Sequence, residues 1–224
     1  LDKNNYTGFT LAEVLITLLI IGVVASLVIP AIINDTQKQE WVTGLQKSLA
    51  ESNQAYRKWQ LDIGVTDFAG NIPSTQDGFL NSFVQYFDVV KICYQNQRAG
   101  ECFSQDVKYM NGFYASVPGD VDTHARAILK DGTMILIYGY SPSCTWTKNR
   151  TNGVADGCTE IFIDVNGFKE PNISGRDIFG LMFTRKNGVL PTGIMGSDSE
   201  SHCGIGYSEA CSAKIAKEGW KMNY

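Results

Sequence analysis

The alternation of apolar and polar positions divides the chain into three stretches. From Phe9 to Ile29 every residue but Glu13 is uncharged, and most are apolar. These ~21 residues predict a helix of roughly 31 Å, enough to cross a hydrocarbon core of about 30 Å. From Ala31 to Ile63 charges enter (Asp35, Lys38, Glu40, Lys47, Glu51, Arg57, Lys58), while Val42, Leu45, Leu49, Ser52, Tyr56, Trp59 and Ile63 step by three and four. That is the period of an amphipathic helix whose apolar stripe is interrupted only at Ser52. One helix through both stretches, Phe9 to Ile63, would run about 80 Å. Pro30 removes a backbone donor inside it, so a bend or melted turn is expected there, helped by Gly22. The aromatic residues in the stripe suit packing on a sheet better than a coiled-coil seam.

Past Gly64 the residues are richer in Gly, Asn, Asp and Ser, and no second spanning segment follows. Phe79, Leu80, Phe83, Val84, Phe87 and Val90 predict a second helix over Asp77 to Cys93 with Asp77 as its cap. Ala125–Leu129 and Thr133–Tyr140 flank Lys130-Asp131-Gly132 and read as a hairpin, with the glycine supplying positive φ. Ile161–Val165 and Leu181–Arg185 read as further strands, the second ending at Asn187-Gly188. A long helix on an antiparallel sheet of about four strands makes an α+β fold.

Composition narrows the function. A formal net charge of −4 without a basic run argues against broad nucleic-acid binding. His124 and His202 are the only imidazoles, and neither sits in a recognisable nucleophile motif, so no catalysis is expected. All six cysteines, Cys93, Cys102, Cys144, Cys158, Cys203 and Cys211, follow the apolar stretch. An even count there argues for disulfides in an oxidising compartment, and the three close pairs would staple three loops if bonded in sequence order. No Cys-x-x-Cys occurs, and His202 lacks partners at zinc spacing. Asp164-Val165-Asn166-Gly167, followed by Asn172 and Asp177, offers oxygens that a calcium ion could use. It is not an EF-hand, and a turn with Asx hydrogen bonds explains the same residues.

Glu13 is the costly residue. A carboxylate in a bilayer core costs on the order of 2.5 to 3.5 kcal/mol on insertion scales, which makes an intramembrane acid a functional hypothesis. A secretory signal peptide has a shorter apolar run of ~7 to 15 residues and a small-x-small cleavage site. A core helix would keep a polar stripe. A plain signal anchor satisfies both tests but gives no reason for Glu13, and a glutamate snorkelling from the helix end remains the bland alternative.

The string Gly8-Phe9-Thr10-Leu11-Ala12-Glu13-Val14-Leu15-Ile16 resembles the class III signal sequences of type IV pilins, type II secretion pseudopilins and competence pilins. The resemblance covers roughly the first quarter of the chain. It implies a leader at 1–8, cut after Gly8 by a membrane prepilin peptidase that then methylates the new amine on Phe9. It implies a transmembrane and filament-core helix at 9–30, with Glu13 as the family glutamate and Pro30 as the family's helix-bending proline. The rest would be an amphipathic continuation at 31–64 and a disulfide-stapled periplasmic or extracellular domain at 65–224. The chain begins at Leu1 without methionine, which leaves the completeness of the leader open, and Lys3 is offset by Asp2, so orientation rests more on the family match than on charge.

Physically, a residue without Cβ lets the backbone enter a narrow protease site. The Phe9 amine then lies at membrane depth, where Glu13 of its own chain or a neighbour can neutralise it. The implied role is a structural subunit of a pilus, secretion pseudopilus or DNA-uptake filament, partnered by the peptidase, other pilin-like subunits and an inner-membrane assembly platform. Some pseudopilins bind calcium in a loop, and no other cofactor is implied. The alternative is a monomeric, membrane-anchored binding or adhesin domain.

Overall fold

The computed structural model describes residues 8, 10–97, 100–115, 123–145, 156–194, 203–204 and 210–224, apart from the Ala31 side chain. Helix α1 runs Leu11–Ile63 as one element of 53 residues with Pro30 inside it. The melted turn expected at Pro30 does not occur, because one missing donor does not interrupt a ladder this long. The chain forms two compact units, Leu1–Gln39 and Glu40–Tyr224, so the division falls inside α1.

In the first unit the large apolar side chains from Leu11 to Ile33 are exposed. Among the described residues α1 is the one helix long and apolar enough to cross a membrane. Within its apolar stretch, Thr17 Oγ donates to the Val14 carbonyl at 2.9 Å and Ser26 Oγ to that of Val23 at 2.8 Å. Such internal pairing is what a medium without water requires of a polar group.

The second unit is built on an antiparallel meander, β1 (Val89–Cys93), β2 (Arg126–Leu129), β3 (Met134–Tyr140), β4 (Gly157–Asp164), β5 (Ile178–Thr184) and β6 (Val189–Pro191), in that spatial order. Helices α2 (Gln76–Val84) and α3 (Cys211–Lys217) complete it. The α+β class therefore holds, with six strands where about four were expected. The Lys130-Asp131-Gly132 hairpin forms, with Gly132 at φ 91°.

The helix expected over Asp77 to Cys93 is corrected in two ways. It stops at Val84, and its cap is Thr75, whose side chain accepts from the Gly78 N–H; Asp77 instead accepts from the Gln95 N–H at 2.9 Å. Val89, Val90 and Ile92 then enter β1 against β2. Their β-branched side chains favour the strand, although Phe87 and Val90 continue the helical spacing of Phe79 and Phe83.

Period-two alternation sorts the sheet's residues between two cores. Ile135, Ile137, Ile161, Ile163, Phe179, Leu181 and Phe183 face α1 and α2. Met134, Leu136, Phe162 and Ile178 pack against Phe103, Val107, Tyr109 and Ala115 on the other face. The stripe of α1 is buried at Val42, Leu45, Ser52, Tyr56 and Trp59 but ends there, since Ile63 is 42% exposed. Phe183 is the hub of the larger core, with ring centroids 4.8 Å from Tyr56, 4.9 Å from Phe68 and 5.1 Å from Phe79.

Two positions let α1 approach the sheet closely. A Cβ on Gly44 would lie 2.8 Å from Val165 Cβ, so only glycine fits without displacement. Asn53 takes the place of a neighbouring strand for β6: its Nδ2 donates to the Val189 carbonyl at 2.8 Å, and its Oδ1 accepts from the Val189 N–H at 3.0 Å. Gly188, at φ 83°, leaves room for that amide, because a Cβ there would lie 2.5 Å from Asn53 Oδ1.

Candidate functional site

At the amino end of α1, Thr10 and Glu13 cap each other. Glu13 Oε2 accepts from the Thr10 N–H at 2.7 Å and from Thr10 Oγ at 2.8 Å, and Thr10 Oγ accepts from the Glu13 N–H at 3.3 Å. The first intrahelical bond runs from the Val14 N–H to the Thr10 carbonyl at 3.2 Å. This is a reciprocal capping box, in which two orphan donors of the helix start are satisfied by side chains. The carboxylate also lies at the positive end of the helix dipole. Thr10 is absent from the site residues read from the sequence, although Thr-x-x-Glu before an apolar run is the signature that would have found it.

Gly8 has nothing within 4 Å of where its Cβ would stand and no positive φ. Nothing inside the described chain therefore requires glycine at that position. Phe9 lies outside the described residues. Pro30 sits within α1.

The six cysteines form three disulfides, Cys93–Cys102, Cys144–Cys158 and Cys203–Cys211, separated by 9, 14 and 8 residues, and none is free. The first loop is reinforced by Arg126, fully buried on β2, which donates to the carbonyls of His124, Tyr94 and Gln97. His124 stacks near Tyr138 at 5.2 Å, and His202 lies outside the described residues.

The calcium candidates gather in the β4–β5 loop only in part. Asp177 Oδ1 and Oδ2 accept from the N–H groups of Ile173 and Asn172 at 2.7 and 2.8 Å. The Asn172 side chain points elsewhere, with its Oδ1 accepting from Ser104 Oγ at 2.7 Å. Asp164 Oδ1 accepts from the Asn166 N–H, while Asp164 Oδ2 and Asn166 Oδ1 are buried without a partner. Burial, and then the neighbouring Asp177, hold the Asp164 carboxyl well above the usual carboxylate range. Burial also raises Asp177, against the two N–H groups that favour its anion.

Calcium takes about six to eight oxygens. Only two side-chain oxygens stand uncommitted, and among the described residues no group of three or more His, Cys, Asp or Glu is placed to hold a metal. Asn172 does not join the other candidates, because Ser104 holds its side chain.

The site's parts are thus a capped acid at the head of an exposed apolar helix, and a globular unit whose loops are stapled by disulfides. The family model described as the prokaryotic N-terminal methylation motif matches residues 3–29. No curated protein and no solved structure matches the chain. The motif and the apolar helix fit membrane anchoring, and the motif implies processing by a prepilin peptidase and assembly with other pilin subunits. At its amino end the chain carries the methylation signal of type IV pilins and pseudopilins.

Proposed function

We propose that the chain is a structural subunit of a type IV pilus-like filament or type II secretion pseudopilus, and not an enzyme. It is cut after Gly8 and methylated on Phe9. It waits in the inner membrane as a single span with residues beyond α1 in the periplasm, and then joins a filament through its apolar helix. Glu13 pairs with the terminal amine of a neighbouring subunit and fixes the register between helices. The observation that carries this reading is Glu13 itself, the one acid of an otherwise uncharged apolar run, inside a matched methylation motif. Three disulfides without a free thiol support an oxidising destination for the second unit.

The decisive experiment replaces Glu13 by Val in cells that contain the whole assembly machinery. Membrane insertion, leader cleavage and disulfide formation persist, and insertion improves slightly because a costly acid is gone. Filament incorporation is lost, because removing one partner of a buried pair costs about 3 to 5 kcal/mol. Glu13→Asp falls between, keeping charge but losing reach. Wild-type incorporation of Glu13→Val would replace the filament reading with a membrane-anchored monomeric binding domain. Gly8→Leu blocks cleavage, as read by mass spectrometry of the N-terminal peptide.

A further inference from the structure

The capping box gives Glu13 a partner inside its own chain, and this bears on how the acid meets a neighbour. Thr10 Oγ does two jobs at once: it accepts from the Glu13 N–H, which caps the helix, and it donates to Glu13 Oε2, which holds the carboxylate. The backbone N–H of Thr10 donates to the same oxygen. One carboxylate oxygen is therefore fixed at the head of the helix by two donors. The other, Oε1, makes no hydrogen bond among the described residues and is left for a donor from outside.

Resting on the filament reading, we infer that Thr10 is a positioning residue for assembly: its hydroxyl holds Glu13 turned back to the helix start, with Oε1 presented to the incoming ammonium of a second copy. An acid without this hold samples its rotamers, and each docking event must then fix them anew. A carboxylate held by two donors is also tolerated in an apolar medium while no neighbour is present, since a buried charge is acceptable only when hydrogen-bonded. The hydroxyl thus acts through Glu13 and does not touch the neighbour itself.

Helix capping and carboxylate positioning make different demands, and substitutions at Thr10 separate them. Glycine caps a helix nearly as well as threonine but has no hydroxyl to donate. Serine both caps and donates. The full chain carrying Thr10→Gly, Thr10→Ser or Thr10→Val is expressed with its peptidase and assembly machinery, and filament incorporation is measured relative to the cleaved subunit.

Thr10→Gly and Thr10→Val are expected to lower incorporation roughly tenfold, the loss that follows from one hydrogen bond to a charged group, and Thr10→Ser to restore it. Incorporation of Thr10→Gly within about twofold of wild type would show that the hydroxyl only caps and would overturn the inference. So would failure of serine to restore assembly, or complete loss of cleavage in the glycine and valine variants, which would assign Thr10 to peptidase recognition. Glu13→Val in the same assay keeps the two ideas apart. If it assembles, the filament reading fails; if it does not while Thr10→Gly does, only the role of Thr10 fails.

Discussion

Asn53→Ala offers a sharp test of how α1 holds the sheet. Asn53 lies on α1 and gives edge strand β6 the hydrogen bonds that another strand would supply, at 2.8 and 3.0 Å to the Val189 backbone. Val189 is 1% exposed, so water does not readily replace the lost amide. Two buried backbone groups left without partners cost on the order of 1 to 3 kcal/mol each, and partial relaxation of so short a strand brings the total to about 3 kcal/mol. For a unit of this size that lowers the midpoint by roughly 6 to 12 °C. The assay is thermal unfolding of the full chain in detergent, followed by near-ultraviolet circular dichroism from the Trp59 and Phe183 core. Gly188→Ala should do comparable damage, since its Cβ would meet Asn53 Oδ1 at 2.5 Å at a φ of 83°. The double variant should lose less than the sum of the two, because the clash disappears with the Asn53 amide and only the strain of alanine at positive φ adds to the lost hydrogen bonds. A loss below about 0.5 kcal/mol for Asn53→Ala, or full additivity with Gly188→Ala, would refute the account of β6 as a strand completed by a helix side chain.

Four further outcomes concern the second unit. Asp164→Asn should stabilise the fold near pH 7 to 8 and leave it unchanged near pH 3. The folded Asp164 holds its proton more tightly than the unfolded chain, so its contribution is full below the usual carboxylate pKa of about 3.9 and is lost as pH rises through the raised value. Millimolar calcium should leave the wild-type melting curve where it is, and a calcium-dependent rise abolished by Asp164→Asn would instead mean that backbone carbonyls complete a shell. Asp67 carries the opposite sign: the Arg185 guanidinium, at 2.5 to 2.8 Å, holds its carboxyl well below the ordinary range, so Arg185→Met should cost stability at neutral pH and progressively less as the pH falls through the acid range. Reduction should destabilise the unit by on the order of 2 to 4 kcal/mol per disulfide, and non-reducing peptide mapping should recover Cys93–Cys102, Cys144–Cys158 and Cys203–Cys211.

Elements with a period long enough to average were legible in the sequence, whereas elements decided by one tertiary contact were not. The α1 stripe from Val42 to Trp59 needed no partner to be seen, because the three-four spacing recurs over several turns. It misled only at Ile63, where the spacing continues past the end of the sheet. The β2–β3 hairpin was legible because Lys130-Asp131-Gly132 carries its own turn chemistry. By contrast, Phe87 and Val90 fit the helical spacing of α2, and only pairing with β2 reveals that Val89–Cys93 is a strand. Strand β6 has three residues, one of them Pro191, and exists because β5 and Asn53 complete it. Helix α3 is two turns tied by Cys211 to Cys203, too short for its spacing to stand out. The calcium candidates show the same limit, since the spacing of oxygens says nothing of Ser104 reaching Asn172 from a distant loop.

The same contrast separates residues that serve the fold from residues that serve a partner. Gly44, Gly188 and Asn53 each have an internal reason: Val165 stands 2.8 Å from where one Cβ would be, Asn53 fills the space beside another, and Val189 takes both ends of the amide. Gly8 has no such reason, because its surroundings are open and its backbone is accessible to any residue. Glu13 has only a small one. A helix can be capped by many residues at a cost of about 1 kcal/mol, whereas an acid in hydrocarbon costs more than the cap returns. A glycine that nothing among the described residues requires and an acid that the helix barely uses stand five positions apart, both within the residues 3–29 that the methylation motif matches. Under the proposed filament reading their requirement lies outside the chain: a backbone that enters an enzyme at Gly8, and a charge met by a neighbour at Glu13.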